Sequence, residues 1–300
     1  MTSVTLKVWF KELLKHKIFK GYYFKKIHGY KLNLNNPQTF SEKIFYRKKF
    51  GNEKNMAMVA DKVAVRDYVK SKVGDRYLID LVGIFDNLNI EHFDNFPKSF
   101  VVKTNHGSGP HHIEIVPDKY SCDVEKIVEK FMLAKKLDKG NFDEVFYTNI
   151  DRKILIEQYI GEKEKTPNDY KFHCFNNGKV FIQVDTDRYN GHSRAFYDEN
   201  WNRIGVKIKP SIKEAEEILI PDNLDEMLTV AKKLSEDFDY IRVDLYNVEG
   251  KIYFGELTQT HGGGLERFSS KSDDTAWGQY WKLDLDNSWL YKVKHASKSQ

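Results

Sequence analysis

Two acids stand in otherwise apolar, strand-forming runs towards the C-terminal part of this 300-residue chain. Asp244 lies in IRVDLY (241–246) and Glu256 in IYFGELT (252–258), with NVEG (247–250) between them. Alternating β-branched and aromatic residues around a Glu-Gly turn predict a β-hairpin. In such a hairpin both acids can point to one face at about the same height. Carboxylates inside apolar strands are costly to bury without a partner, and paired oxygen donors suit Mg²⁺, with phosphate completing its shell. Arg242 precedes Asp244 by two residues and so falls on the same side of the strand. A guanidinium beside a divalent cation suits a phosphate or a developing oxyanion. An ordinary hairpin with solvated acids is the competing reading of the same residues.

A second stretch, FVVKTNHGSGPHH (100–112), delivers Lys103 on a strand and then enters a loop of His106, Gly107, Ser108 and Gly109. Paired glycines let backbone N–H groups approach a phosphate, and the lysine supplies charge. No Gly-Lys-Ser/Thr signature follows, so this is not a Walker A loop. The apolar run after it, HIEIV, predicts a hairpin with a Gly-rich tip, readable as a phosphate lid or as a plain turn. Asp169 and Lys171 share one face of the first strand of another hairpin, DYKFHCFNNGKVFIQVDTD. Beyond it, Arg188, His192 and Arg194 fall at even spacing, so an extended segment aims all three the same way. They form either a cationic patch able to grip a carboxylate, which Arg binds bidentately, or a solvated basic loop.

The elements that must position these groups are predicted from local pattern. Thr39 or Ser41 caps a helix with Glu42 in its first turn. A helix follows over ADKVAVRDYVKSKV, with Val63, Val65, Val69 and Val73 near its buried side and Gly74 ending it. Tyr77–Phe85 reads as a strand with its turn, Asp123–Lys139 as an amphipathic helix, and Lys153–Ile160 as a buried strand ending in Glu157 and Tyr159. Pro221–Asp237 reads as a helix capped by Asn223, with Leu224, Met227, Leu228, Ala231 and Leu234 inside.

Hydrophobic residues make up 40% and charged residues 31% of the chain, which predicts a soluble globular protein of about two layers or lobes. No apolar run approaches the roughly 20 residues that span a bilayer, and Lys7, Lys11, Lys15 and Lys17 break any signal-peptide pattern. Cys122 and Cys174 lack metal spacing and read as free thiols in a reducing, cytoplasmic compartment. Residues 1–55 hold 13 Lys/Arg against 3 Asp/Glu, so with a whole-chain net of +4 the remainder is acidic. Phe10, Leu13, Leu14 and Ile18 make one apolar face of a basic helix. It either packs on the body or contacts an anionic membrane surface or acidic polysaccharide. No nucleic-acid motif accompanies the charge, and no convincing Ser/His/Asp or Cys/His set is present.

The stretches NNPQTFSEKI, ADKVAVRDYV, VVKTNHGSG, DYKFHCFNNGK, DTDRYNGHSR and IRVDLYNVEGKIYFGELT, in this order, resemble the ATP-grasp superfamily. More narrowly, they resemble the ATP-grasp family named for a teichuronopeptide biosynthesis protein, over most of residues 32–268. The resemblance implies an α+β fold with two lobes holding ATP between them and a basic helical N-terminal extension. Its divisions would be 1–55 for the basic segment, 56–99 for the N-terminal part of the core, 100–160 for the lid lobe and 161–290 for the C-terminal lobe with the metal and substrate site. It implies ATP and Mg²⁺. Arg66 would contact nucleotide phosphate and Lys103 would begin the lid, His106–His112. Glu157 with the Tyr159–Ile160 backbone would read adenine, and Asp169 or Glu164 would bind ribose, with Lys171 counted beside the nucleotide. Asp244 and Glu256 would hold Mg²⁺, Arg242 would face the transferring phosphate, and Arg242 with the backbone around Gly262–Gly264 would cradle an oxyanion. Thr258 stands where the family usually has a third, Asn ligand. Arg188, His192, Arg194, or else His261, Gly262 and Gly263, would take the acceptor. The implied activity is amide formation through an acyl phosphate, joining an amino acid or other amine to a nucleotide- or lipid-linked uronic-acid sugar in capsule-type polysaccharide assembly, in the cytoplasm or at the inner membrane face. The alternatives are a sugar or small-acid kinase and a polysaccharide-binding module with a vestigial nucleotide site.

Overall fold

A computed structural model describes residues 20–137, 143–161, 167–186 and 191–292. Phe10, Leu13, Leu14, Ile18, Glu164 and Arg188 lie outside the described residues, as do the expectations attached to them.

Two sheets organise the chain. The larger has the order β10-β9-β5-β6-β7-β8. It is made of β5 (Asp169–Phe175), β6 (Val180–Thr186), β7 (Ser193–Tyr197), β8 (Lys213–Glu214), β9 (Tyr240–Val248) and β10 (Lys251–Thr258). The β9–β10 turn is Glu249-Gly250 with φ of 51° and 81°. Both residues are left-handed, as a two-residue hairpin turn that matches strand twist requires. One face of this sheet is apolar: Phe172, Cys174, Ile182, Val184, Ile241, Val243 and Leu245 are buried there. It packs on α4 (Val65–Val73) and α6 (Leu224–Ser235), which contribute Val65, Val69, Met227, Ala231 and Leu234 to the same core. Each large aliphatic side chain buried in such a core contributes about 1.5–3 kcal/mol. Asn223 stands at the start of α6 but donates its amide to the Gly250 carbonyl oxygen (2.8 Å) instead of capping the helix.

The smaller sheet has the order β1-β4-β2-β3: β1 (Leu81–Phe85), β4 (Ile154–Gln158), β2 (Phe100–Thr104) and β3 (Ile113–Val116). Helix α5 (Val124–Ala134), capped by Asp123, lays Ile127 and Phe131 on Phe100, Val102, Ile154 and Ile156. This helix stops short of the expected Lys139, and β1 begins at Leu81, after a single 3-10 turn at Asp75–Tyr77, rather than at Tyr77. Segment 56–99 divides between the sheets, because α4 backs the large one while β1 pairs with β4 of the small one.

The N-terminal segment is not wholly an extension. Helix α2 (Phe40–Phe50), opened by a reciprocal Thr39–Glu42 capping box, is buried. Phe40 and Ile44 join Phe175, Phe181, Phe196 and Tyr240 of the large sheet and Trp277 and Trp281 in a second core. Trp277 belongs to α7 (Lys271–Tyr280), where Gly278 lets the chains approach: a Cβ there would sit 2.1 Å from the Gln38 carbonyl oxygen. Arg47 lies 1% exposed, paired with Asp239 and 4.3 Å above the Trp281 ring. Helix α1 (Lys20–His28) precedes it, and α3 (Glu53–Ala60), which sequence pattern did not suggest, packs Met56 on Phe146 and Ile150. Among the described residues no helix is long and apolar enough to cross a membrane.

Candidate active site

The second face of the large sheet is charged. Residues opposite each other on paired strands share a face, and the register sets Asp244 opposite both Glu256 and Lys171, and Arg242 opposite Thr258 and His173. Further along, Asp169 faces Asp185, Lys171 faces Gln183, and Asp185 faces Arg194. A bulge at Gly255 shifts the β9–β10 register between Phe254 and Glu256. Were the pairing regular, Gly255 would stand opposite Asp244 and Glu256 opposite Val243, on the apolar face. Bulges re-aim side chains in this way, and a glycine inside a strand is their usual mark.

Arg242 is the hub. Its Nε and Nη2 donate to both oxygens of Asp244 (2.6 and 2.7 Å). Nη2 also donates to Glu256 Oε1 (2.9 Å) and Thr258 Oγ1 (3.0 Å), while Nη1 donates to His261 Nδ1 (2.8 Å). The accepting Nδ1 leaves the proton of neutral His261 on Nε2, which lies 3.3 Å from Glu266. Burial keeps His261 low and His173 well below the usual imidazole range. Two acids share one guanidinium. Burial, with Glu256 adding, pushes Asp244 up to about 6 against the pull of Arg242 and Lys171. The oxygen-rich set of Asp244, Glu256 and Thr258, with charge exceeding its guanidinium partner, fits a hard divalent cation.

Asp185 anchors the other half of the face. It accepts from Arg194 Nε (2.6 Å), His192 Nε2 (3.0 Å) and Gln183 Nε2 (2.8 Å), and Lys171 Nζ lies 2.9 Å away. Burial opposes ionisation there, but Lys171 and Arg194 outweigh it and hold Asp185 well below the carboxylate range. Arg194 also reaches Glu266 (3.3 Å), and Lys171 lies 3.4 Å from Asp169. The expectation of an open cationic patch at His192 and Arg194 is thereby corrected. Both side chains do reach one place, and an acid already sits there. Asp169, expected near ribose, is buried beside Lys171.

On the small sheet, Lys103 donates to Glu157 Oε2 at 2.5 Å, and Arg66 Nη1 lies 3.8 Å from Glu157 Oε1. Arg66 also donates to the Ile79 carbonyl oxygen (2.8 Å). Two cations and one carboxylate thus converge on the face away from α5. Tyr159 and Ile160 follow, half-buried, just beyond β4. The Gly-rich loop is pinned at its base. Lys62 donates to the Gly107 carbonyl oxygen (2.6 Å), and His112 pairs with Thr104 Oγ1 (2.8 Å). A Cβ on Gly107 would lie 2.0 Å from the His112 ring. His106 is 1% exposed and contacts the Leu137 carbonyl oxygen (3.1 Å), so it braces the loop from inside. Ser108 and Gly109 are exposed.

Gly262, Gly263 and Gly264 have φ of 54°, 62° and 74°, conformations open to glycine at little cost. The Gly263 N–H donates to the Thr260 carbonyl oxygen (2.9 Å), so it is not directed at a ligand. The N-terminal helices hold this turn: Lys48 donates to the Gly263 carbonyl oxygen (2.5 Å) and His28 to that of Gly264 (2.9 Å).

A model of the TupA-like ATP-grasp family matches residues 42–282. The chain belongs to this family. Among solved structures, the D-alanine–D-alanine ligase of Bacillus anthracis, complexed with ATP, is 18% identical with a TM-score of 0.38, covering 70% of this chain and 56% of its own length. The Helicobacter pylori D-alanine–D-alanine ligase is 17% identical with a TM-score of 0.43, covering 78% and 71%. An ADP complex of N5-carboxyaminoimidazole ribonucleotide synthetase is 14% identical with a TM-score of 0.43, covering 68% and 46%. The chain thus spans only about half the length of some of the ligases it matches, and the family assignment rests on the sequence match. No curated protein sequence matches the chain.

The contacts place weight on residues that sequence reading passed over: His173, Gln183, Asp185 and Glu266. A period-two signal was present, since Asp169, Lys171 and His173, then Gln183 and Asp185, alternate with apolar residues.

Proposed function

We propose that this TupA-like ATP-grasp protein is an ATP-dependent carboxylate–amine ligase. It activates the carboxylate of a uronic-acid sugar as an acyl phosphate and passes the acyl group to an amino acid or other amine, in bacterial surface-polysaccharide assembly. The observation that carries this reading is the buried fork of Arg242 on Asp244, Glu256 and Thr258.

A carboxylate is inert to amines because its carbonyl carbon is electron-rich and oxide is a poor leaving group. In the first step a carboxylate oxygen attacks the γ-phosphorus of ATP, the bond to ADP breaks, and an acyl phosphate forms. The amine then attacks the carbonyl carbon, phosphate departs, and the amine gives up a proton. Mg²⁺ held by Asp244, Glu256 and Thr258 would supply neutralisation of phosphate charge. Arg242, fixed by those same oxygens and by His261, is pre-oriented towards charge developing first on the transferring phosphate and then on the tetrahedral oxygen. Arg66 and Lys103, steadied by Glu157, supply cations for the nucleotide, with Ser108 and Gly109 at the exposed tip of the lid.

ADP release measured over a matrix of amines and uronic acids tests this. A ligase releases ADP only when acid and amine are both present. ADP formed at full rate from the acid alone would make the protein a kinase, and no nucleotide stabilisation at all would leave only a polysaccharide-binding module.

A further inference from the structure

We infer that the acid substrate carries a second anionic group, a phosphate or diphosphate ester, which binds in a cavity between β7 and the segment 203–214. This rests on the ligase reading above. The cavity has a volume of about 210 Å³ and is lined by Arg194, Arg203, Lys207, Lys209 and Lys213. Its apolar floor includes Phe196, Ile204 and Ile208.

Glu214 is the one acid of the lining, and it is shared. It lies 3.2 Å from Arg203 Nη2 and 2.8 Å from Lys207 Nζ. Lys209 and Arg194 divide a second acid, Glu266, at 3.4 and 3.3 Å. Lys213 has no carboxylate partner among the described residues. Cations brought around so small a volume repel one another unless an anion joins them. The backbone that presents them is fixed. Ile208 bridges Phe268, and the Lys209 N–H donates to the Arg267 carbonyl oxygen (2.8 Å). Lys209 is held at φ 57°, a left-handed conformation that non-glycine residues rarely adopt and that concentrates at functional sites.

Arg194 joins the cavity to the charged face. It lines the cavity while donating to Asp185 and Glu266, and Glu266 lies 3.3 Å from His261, which accepts from Arg242. An unbroken run of side-chain contacts therefore links Arg242 to this cavity through His261, Glu266 and Arg194. The carboxylate is consumed by the chemistry, so the cavity's charge calls for another anion on the same molecule. A phosphate ester carries close to two charges at neutral pH and matches guanidinium and ammonium donors. Nucleotide-linked and lipid-linked sugars share that group.

Calorimetry with saturating ADP present tests the inference. Wild-type protein is expected to bind glucuronate 1-phosphate at least tenfold more tightly than glucuronate, and to bind inorganic pyrophosphate. The Lys207→Gln/Lys213→Gln double variant, both sites being solvent-facing, should lose most of that advantage and the pyrophosphate binding, with its thermal transition retained. Further affinity for UDP-glucuronate would identify a nucleotide-linked source, and further affinity for a short-prenyl diphosphate uronate a lipid-linked one. Equal binding of the phosphorylated and free acid by wild type would overturn the inference, as would an advantage that survives in the double variant. So would a parallel loss of ATP affinity, because the cavity would then serve the nucleotide. The readout is binding and not turnover, so failure of amide formation leaves this result intact and sinks only the ligase reading.

Discussion

Arg242 makes more side-chain contacts than any single role needs: two acids, a hydroxyl and an imidazole meet on one guanidinium. If those acids serve Mg²⁺, Asp244→Asn and Glu256→Gln should each lower kcat by about a hundredfold or more, with a cooperative thermal transition preserved. Activity retained by both variants at saturating Mg²⁺ would remove the metal assignment. Lys103 makes a smaller contribution. Lys103→Ala should raise the Kd for ATP by about tenfold, near 1.4 kcal/mol, because Arg66 remains beside Glu157. An unchanged Kd by calorimetry would make it a structural partner of Glu157 alone. A third prediction concerns Lys48, whose burial lowers its pKa to about 8. The unfolded chain keeps an ordinary lysine near 10.4, so between about pH 8 and 10 it binds more protons than the folded protein. Stability contributed by this site therefore rises with pH across that window. Denaturant unfolding at pH 7.5 and 9.5 should show a gain for wild type that is smaller in Lys48→Met. An identical gain in both would contradict the assignment.

At the scale of elements, the close approach of α2 and α7 is the most exacting contact. Gly278→Ala places a methyl group against backbone at Gln38 and Phe40, and should cost about 2–4 kcal/mol, read as a lowered Tm. A neutral Tm would show that the helices can separate without loss. Much of this level was legible in sequence because its signals are local. The Thr39–Glu42 box, the Gly74 stop, the hairpins at 169–186 and 240–258 and the strand delivering Lys103 all follow from neighbouring residues. What stayed hidden is tertiary. Lys171 meets Asp244 across strands far apart in the chain, and no local pattern sets that register. The same holds for Asp185, whose choice of Arg194 and His192 as partners turned an expected cationic patch into a neutralised one. Helix α2 read as part of a basic extension because its lysines and arginine dominate its composition, yet Arg47 and Lys48 are buried on acid and carbonyl partners. The bulge at Gly255 decides which face Glu256 takes, and a lone glycine in a strand only hints at it.

The whole molecule sets two charged walls on two separately cored sheets. The small sheet carries Lys103 and Glu157, which Arg66 reaches from α4, and the large one carries the Arg242 cluster and the Asp185 cluster. Each wall is backed by its own helices, α5 behind one and α4 with α6 behind the other. The fold class and the family were legible from the order of motifs, while the cationic cavity was not, since it depends on how β7 meets the segment 203–214. The central claim is that both walls act together on one carboxylate through an acyl phosphate. It is tested most directly by supplying uronic acid labelled with ¹⁸O in its carboxylate, together with ATP and an amine, and analysing the products by mass spectrometry. The account predicts one ¹⁸O transferred to inorganic phosphate for each amide formed, and none released when the amine is omitted. Amide formed with unlabelled phosphate, or label retained in a stable phosphorylated sugar whether or not amine is present, would contradict it.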